Sequence, residues 1–206
     1  MRVISGIYKG KNILGFDIDG TRPTMDRVKE SMFAMVQDNI KDKVVLDLFS
    51  GSGSLGIEAL SNGAKMCYFN DSNKIAYNTI LKNTKDIKNK VILNYDFKSA
   101  LKYFKESNIK FDLILLDPPY KNNLLNESLK LISEYNLLND LGIVVCEFEK
   151  YIIDTNLDLI KSKKYGSKSV KIYKVVNNKL KNAKKKQFFN FFLKKKRFFE
   201  FFFVYN

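Results

Sequence analysis

Residues 117–120 read Asp-Pro-Pro-Tyr and follow directly on the apolar run Leu113, Ile114, Leu115 and Leu116. Pro118 and Pro119 are two of only three prolines in the chain. Each fixes its own φ and restricts the residue before it, so the pair ends a strand and holds its last polar groups rigidly. Those groups are acceptors, the carboxylate of Asp117 and the carbonyl of Pro118, with no proline N–H to compete. The exocyclic amine of a nucleobase is a poor nucleophile because its lone pair is delocalised into the ring. Two acceptors that take both amine hydrogens favour a pyramidal nitrogen and aim its lone pair at an incoming carbon. Tyr120 is suited to stack on a base extruded from its helix. The plainer alternative is a Pro-Pro turn with a capping aspartate.

A second constellation lies upstream. Gly51, Gly53 and Gly56 stand in GxGxxG spacing inside "DLFSGSGSLG", after an apolar run and at the mouth of a helix. Glycines there let the backbone turn tightly and approach a ligand closely, which fits a nucleotide-type cofactor or a bare strand-to-helix turn. Asp71 follows Gly51 by twenty residues, the distance at which an acid can accept from ribose hydroxyls; the alternative is a helix N-cap from Asp71 or Ser72. Asn70 precedes it, so which of the two faces the ribose stays open. Asp96 ends the next apolar run, where an adenine amino group could be read. Asp47 sits inside the first run, where a buried charge is costly without a partner. The cationic end of S-adenosylmethionine would explain it. The glycine loop does not choose among cofactors, but Asp-Pro-Pro-Tyr does: methyl transfer to an amine needs it and hydride transfer does not.

These residues need a scaffold, and the chain from Lys43 onward supplies one. "VVLDLF", "KMCYFND", "VILNYD", "FDLILLD" and "GIVVCEF" are short apolar runs separated by helical patterns near 54–62, 74–84, "SALKYFKES" and "LNESLKLISEY". Five strands apolar on both faces, alternating with helices, specify an α/β fold with a parallel sheet covered on both sides. "LIKSKKYG" and "SVKIYKVV" fit an antiparallel closing pair. Ahead of the sheet, "RVISGIYKGKNIL" reads as a β-hairpin or two short strands, with Gly6 and Gly10 as turn or bulge positions. "TRPTMDRVKESMFAMV" reads as a helix capped by Thr24 with an apolar face of Val28, Met32, Met35 and Val36.

Composition narrows the chemistry. The 206 residues can bury a single core, and the net charge of +14 points to a polyanionic partner such as nucleic acid or an anionic surface. The absence of histidine removes the commonest general base and zinc ligand, so hydrolytic triads and zinc deaminase chemistry drop out and no metal is expected. Cys67 and Cys146 lie in apolar runs without CxxC spacing, which reads as buried thiols in a reducing cytoplasm. No signal-like segment or bilayer-length apolar run is present, so no membrane span is expected. From residue 177 the composition changes: nine of the seventeen phenylalanines and nine basic residues face one acid, Glu200. That tail suits either a membrane-surface or RNA-clinging arm, or a low-complexity extension. The expected division is 1–40, a hairpin and helix for RNA contact; 41–176, the catalytic domain; and 177–206, the tail.

The blocks "MRVISGIYKGK", "TRPTMDRVKESMF", "LDLFSGSGSLGIEALSNGA" and "DPPY" together resemble the RsmD family, bacterial methyltransferases acting on guanine N2 of 16S ribosomal RNA. The resemblance covers residues 1 to about 176, and its most specific block is "RPTMDRVKESMF". It implies a Rossmann-like, S-adenosylmethionine-dependent methyltransferase with a seven-stranded sheet, acting as a monomer on 16S rRNA within the 30S subunit or its assembly intermediate. By position, Asp47, Phe49, Ser50, Gly51, Ser52 and Gly53 would line the cofactor loop. Asp71 would hold the ribose, Asp96 the adenine, and Asp117, Pro118, Pro119 and Tyr120 the target amine. Lys9, Lys11, Arg22 and Arg27 are the candidates for phosphate contact. The alternatives are a DNA adenine-N6 methyltransferase and a non-catalytic RNA-binding assembly factor. The first is disfavoured because only about twenty residues separate the fourth and fifth strands.

Overall fold

A computed structural model describes residues 1–15, 23–119, 123–149 and 155–175. Residues Met1–Val175 form one compact unit. Its helices and strands are α1 (Pro23–Val36), a 3-10 turn (Gln37–Asn39), β1 (Val44–Asp47), α2 (Ser54–Ser61), β2 (Met66–Asn70), α3 (Lys74–Asn83), β3 (Lys90–Leu93), α4 (Phe97–Glu106), β4 (Phe111–Leu116), α5 (Leu124–Glu134), β5 (Leu138–Glu149), β6 (Asp158–Tyr165) and β7 (Lys168–Lys174).

The sheet has seven strands in the order β3-β2-β1-β4-β5-β7-β6. The first five in that order run parallel, and β7 is antiparallel to both of its neighbours. The α/β architecture and the closing pair are therefore as the sequence implies. The chain winds outward from β1 through β2 to β3, then returns to place β4 on β1's other side. The order reverses between β1 and β4, and beyond the carboxyl ends of strands at such a reversal is where open α/β sheets bind ligands.

Successive residues of a strand point to opposite faces, so the apolar runs feed two cores. One contains Val45, Leu113, Leu115, Val145 and Val170 under residues of α1, α2 and α3; the other contains Leu46, Ile114, Val144 and Cys146 under α4 and α5. Both cysteines are buried and free. Of the five strands expected to be apolar on both faces, β3, at one edge, departs: it is half-buried throughout. At the other edge β6 of the closing pair exposes most of its residues, among them Lys161, Lys163 and Lys164. Exposed lysines on an edge strand discourage pairing with another chain.

The N-terminal segment pairs with itself, but only briefly. Its two arms run antiparallel about a bridge from Arg2 to Asn12, the Val3 N–H donating to the Lys11 carbonyl, the Gly10 N–H to the Val3 carbonyl and the Ile13 N–H to the Met1 carbonyl. Donors between the arms turn to α2 instead. Glu58 accepts from the N–H groups of Ile4 and Ser5, and Ser61 of α2 accepts from those of Ile7 and Tyr8. Gly6, at φ +77°, permits this docking: a Cβ there would lie 1.9 Å from the Ser61 carbonyl oxygen. Helix α1 starts at Pro23, a favoured first helical position, which puts Thr24 inside the first turn; the Thr24 side chain lies outside the described residues. Its buried face is Val28, Met32, Phe33 and Val36, while Met35 is only partly buried.

A candidate active site at the carboxyl ends of β1 and β4

Asp47 ends β1 and is buried, 1% exposed. One carboxylate oxygen, Oδ2, accepts from the Gly56 N–H at 2.9 Å, and the other, Oδ1, meets no hydrogen-bond partner among the described residues. Burial pushes the carboxyl up to about 7, opposed by the Gly56 hydrogen bond and assisted by the charge of Asp71. A buried acid with an orphaned oxygen at that reversal is a feature that a cationic ligand group would satisfy.

The glycine loop follows at once. Ser50 locks it to β2: its hydroxyl donates to the Asp47 carbonyl and accepts from the Asn70 N–H, while its own N–H donates to the Asn70 carbonyl. Gly51 and Gly53 have φ of +55° and +82°, a conformation side chains resist, so the turn that exposes the loop's backbone depends on them. Gly56 does different work. A Cβ there would come within 2.2 Å of the Phe69 ring, so it is the close approach of α2 to β2 that requires glycine. The Ser52 carbonyl is held by the amide of Asn83 on α3.

At the end of β2 the structure separates Asn70 from Asp71. Asn70 is buried, and its side chain is spent on the backbone, donating to the carbonyls of Leu48 and Tyr95 and accepting from the Tyr95 N–H. Asp71 instead meets the glycine loop: its Oδ2 accepts from the Gly51 N–H at 2.8 Å and its Oδ1 from the Asn73 N–H. The N-cap of α3 is Asn73, not Asp71 or Ser72. Asp96 caps α4, its Oδ1 accepting from the N–H groups of Lys98 and Ser99 and its Oδ2 from the Ser99 hydroxyl. These bonds hold its carboxyl below the usual range. Phe97 follows it in the chain, and the rings of Phe49 and Phe97 lie 5.8 Å apart.

Asp117 follows β4 directly. It is partly buried, Pro118 is buried and Pro119 exposed; Tyr120 lies outside the described residues. Asp47 pairs in register with Leu115, and Leu116 with Cys146, so Asp117 stands between the ends of β1 and β5. Burial raises its carboxyl to about 8; Glu147 and Asp47 add to the rise and Lys168 opposes it. Sequence reading had not singled out Glu147 or Lys168. Glu147 is 6% exposed on β5 and forms an ion pair with Lys168 at the start of β7. Among the described residues no group of histidines, cysteines or acids is clustered to hold a metal ion.

The basic residues expected to meet phosphate are less uniform. Lys9 and Arg27 are exposed, Lys11 leans toward Asp86 at 3.9 Å, and Arg22 lies outside the described residues. A cation missed by sequence reading, Lys29, is buried. It donates to the Arg2 carbonyl and the Ser54 hydroxyl and pairs with Glu58 at 3.2 Å, tying the N-terminal segment and α1 to the first turn of α2.

Comparison with known proteins gives consistent matches. A family model described as "Conserved hypothetical protein 95" matches residues 1–174. The Bacillus subtilis protein named "Putative rRNA methyltransferase YlbH" is 40% identical over 84% of this chain and 98% of its own length. "Ribosomal RNA small subunit methyltransferase D" of Haemophilus influenzae is 35% identical over 84% of this chain and 93% of its own. A solved Escherichia coli structure described as "Putative methyltransferase yhhF" superposes with a TM-score of 0.73 at 26% identity, covering 84% of this chain and 96% of that one.

Proposed function

The chain belongs to the family described as Conserved hypothetical protein 95, the RsmD family, and from that premise we propose that it transfers a methyl group from S-adenosylmethionine to the exocyclic N2 of a guanine in 16S rRNA. The observation that carries the reading is the juxtaposition of Asp117-Pro118 with Asp47 at the point where the strand order reverses. Relatives named as rRNA methyltransferases support the RNA substrate class, and the choice of guanine N2 rests on the family resemblance.

The residues fit the cofactor. The orphaned Oδ1 of Asp47 suits its cationic end, and the turn through Gly51 and Gly53 gives it close access to the backbone. Asp71 lies where ribose hydroxyls would be accepted, with Asp96, Phe49 and Phe97 toward the base. When bound, the sulfonium supplies an electrophilic methyl carbon. Asp117 and the Pro118 carbonyl accept the two amine hydrogens and localise the nitrogen lone pair. Methylated nitrogen would carry one surplus proton, and Asp117 would take it. It does so only when ionised, so burial that raises it makes it a stronger acceptor near neutral pH. Tyr120 stacks on the extruded base, and Lys9, Lys11, Arg22 and Arg27 contact phosphates. On this reading the protein works in the cytoplasm on the ribosomal small subunit or its assembly intermediate.

Radiolabelled methyl transfer to 30S subunits, free 16S rRNA and DNA, followed by nucleoside mass spectrometry, tests it. Label in N2-methylguanosine of 16S rRNA is expected, and Asp117→Ala abolishes it. Label in N6-methyladenine of DNA, or cofactor binding without transfer to any substrate, overturns the reading.

A further inference from the structure

Strand periodicity and register align charges that the sequence scatters. Val45 and Asp47 of β1, Leu115 and Asp117 on β4, Val145 and Glu147 on β5, and Lys168 and Val170 on β7 share parity, and Val45, Leu115, Val145 and Val170 all lie in one core. Asp47, Asp117, Glu147 and Lys168 thus continue one face across four adjacent strands, β1-β4-β5-β7. Asp117 and Glu147 come one step beyond the Leu116–Cys146 pair, side by side. Glu147 pairs across to Val170 of β7, and its carboxylate is joined by the ammonium of Lys168.

Resting on the methyl-transfer reading of this site, we propose that Glu147 and Lys168, set on the same face as Asp117 on the adjoining strands, are positioning residues that act through it with opposite charge. A buried ion pair is a weak source of stability, because desolvating two charges offsets most of their attraction. Its location, one strand from the acceptor and on the same face, is accounted for by its field. An isolated carboxylate is a weak base near neutral pH, and a neighbouring carboxylate disfavours its charged form and makes it a stronger acceptor. The charged groups that act on Asp117 among the described residues are Glu147, Lys168 and Asp47, in that order, with burial the largest influence. Glu147 and Lys168 push in opposite directions, which gives the proposal a signed test.

The experiment compares wild type, Glu147→Gln, Lys168→Met and Lys168→Arg, using 30S subunits and saturating S-adenosylmethionine. The pH dependence of kcat/KM is followed, and the Asp117 carboxyl is titrated in the ligand-free proteins by 13C NMR, assigned by difference from Asp117→Asn. Glu147→Gln is expected to lower the Asp117 midpoint by about one pH unit and Lys168→Met to raise it by about as much. The Glu147→Gln plateau falls severalfold as the acceptor weakens, and Lys168→Arg restores the wild-type midpoint. Loss of activity in both variants with unmoved midpoints, or movement in the same direction, overturns the proposal. If Asp117→Ala keeps full turnover, the methyl-transfer role of Asp117 falls instead, whatever the NMR midpoints do.

Discussion

Replacing Asp47 with asparagine should stabilise the ligand-free protein while weakening cofactor binding. In the folded chain the Asp47 carboxyl is raised to about 7 from 3.8. Folding therefore takes up a proton between those values. Below the lower one the group is neutral in both states and costs nothing; as pH rises through the window, stability is lost. At about 1.36 kcal/mol per unit the full cost is about 4 kcal/mol above the folded value. At about pH 5 it is about 1.7 kcal/mol, and at about pH 8 it has grown by about 2.5 kcal/mol. Asparagine removes this cost but places an amide donor where Oδ1 has no partner, a penalty of about 1–3 kcal/mol that does not depend on pH. The variant should thus be near wild type or slightly less stable at about pH 5, and about 1–3 kcal/mol more stable at about pH 8. Urea unfolding at both pH values measures it, and the increment of about 2.5 kcal/mol between them is independent of the amide penalty. Calorimetry at about pH 8 should show S-adenosylmethionine binding about 10–100-fold more weakly, the loss of one charged hydrogen bond. A stability difference that stays constant or shrinks with pH would refute the buried-charge reasoning, and unchanged affinity would refute the assignment of Oδ1 to the cofactor.

Three further substitutions probe the frame around the site. Gly56→Ala puts a methyl group 2.2 Å from the fully buried Phe69 ring and should cost about 1–3 kcal/mol or more, read as a lower urea midpoint. Lys29→Met leaves Glu58 without its ion-pair partner, a loss of about 3–5 kcal/mol that the double variant Lys29→Met/Glu58→Gln should partly recover. A chain ending at Val175, the last residue of the compact unit, should fold and methylate 30S subunits at the wild-type rate; lost turnover would give the residues beyond it a part in substrate binding.

The features that sequence made legible are those written in local periodicity. Val44–Asp47, Phe111–Leu116 and their neighbours read as buried strands because both of their faces are apolar, and buried on both faces they are. The glycine loop was legible for a different reason. Gly51 and Gly53 adopt a conformation that few other residues take, so their presence between strand and helix already specifies the turn. In the N-terminal segment the antiparallel pairing of its two arms was legible, and the docking of the residues between them on α2 was not. Nothing local distinguishes a donor that meets a partner strand from one that meets Glu58, more than fifty positions away. Lys29 and Glu58 carried no local signal for the same reason: each is buried among partners distant in sequence, the other among them.

Glu147 and Lys168 show where that legibility ends. Parity along a single strand can be read from sequence, so it was visible that Asp117 continues the face of Leu115. Which strands stand beside β4 cannot be read from parity. The intervals from Asp47 to Asp117, Glu147 and Lys168 are set by connecting helices and loops of unequal length, so no motif of fixed spacing could contain all four. Only the order β1-β4-β5-β7 makes them neighbours. The same order explains their chemistry. The strands' carboxyl ends are least covered by the cores, so charges there find ligands or one another. Asp47 retains an oxygen with no hydrogen-bond partner, while Glu147, farther from the reversal point, has Lys168. Asp117, the acceptor proposed for the amine, stands between the unpartnered acid and the paired one along that face.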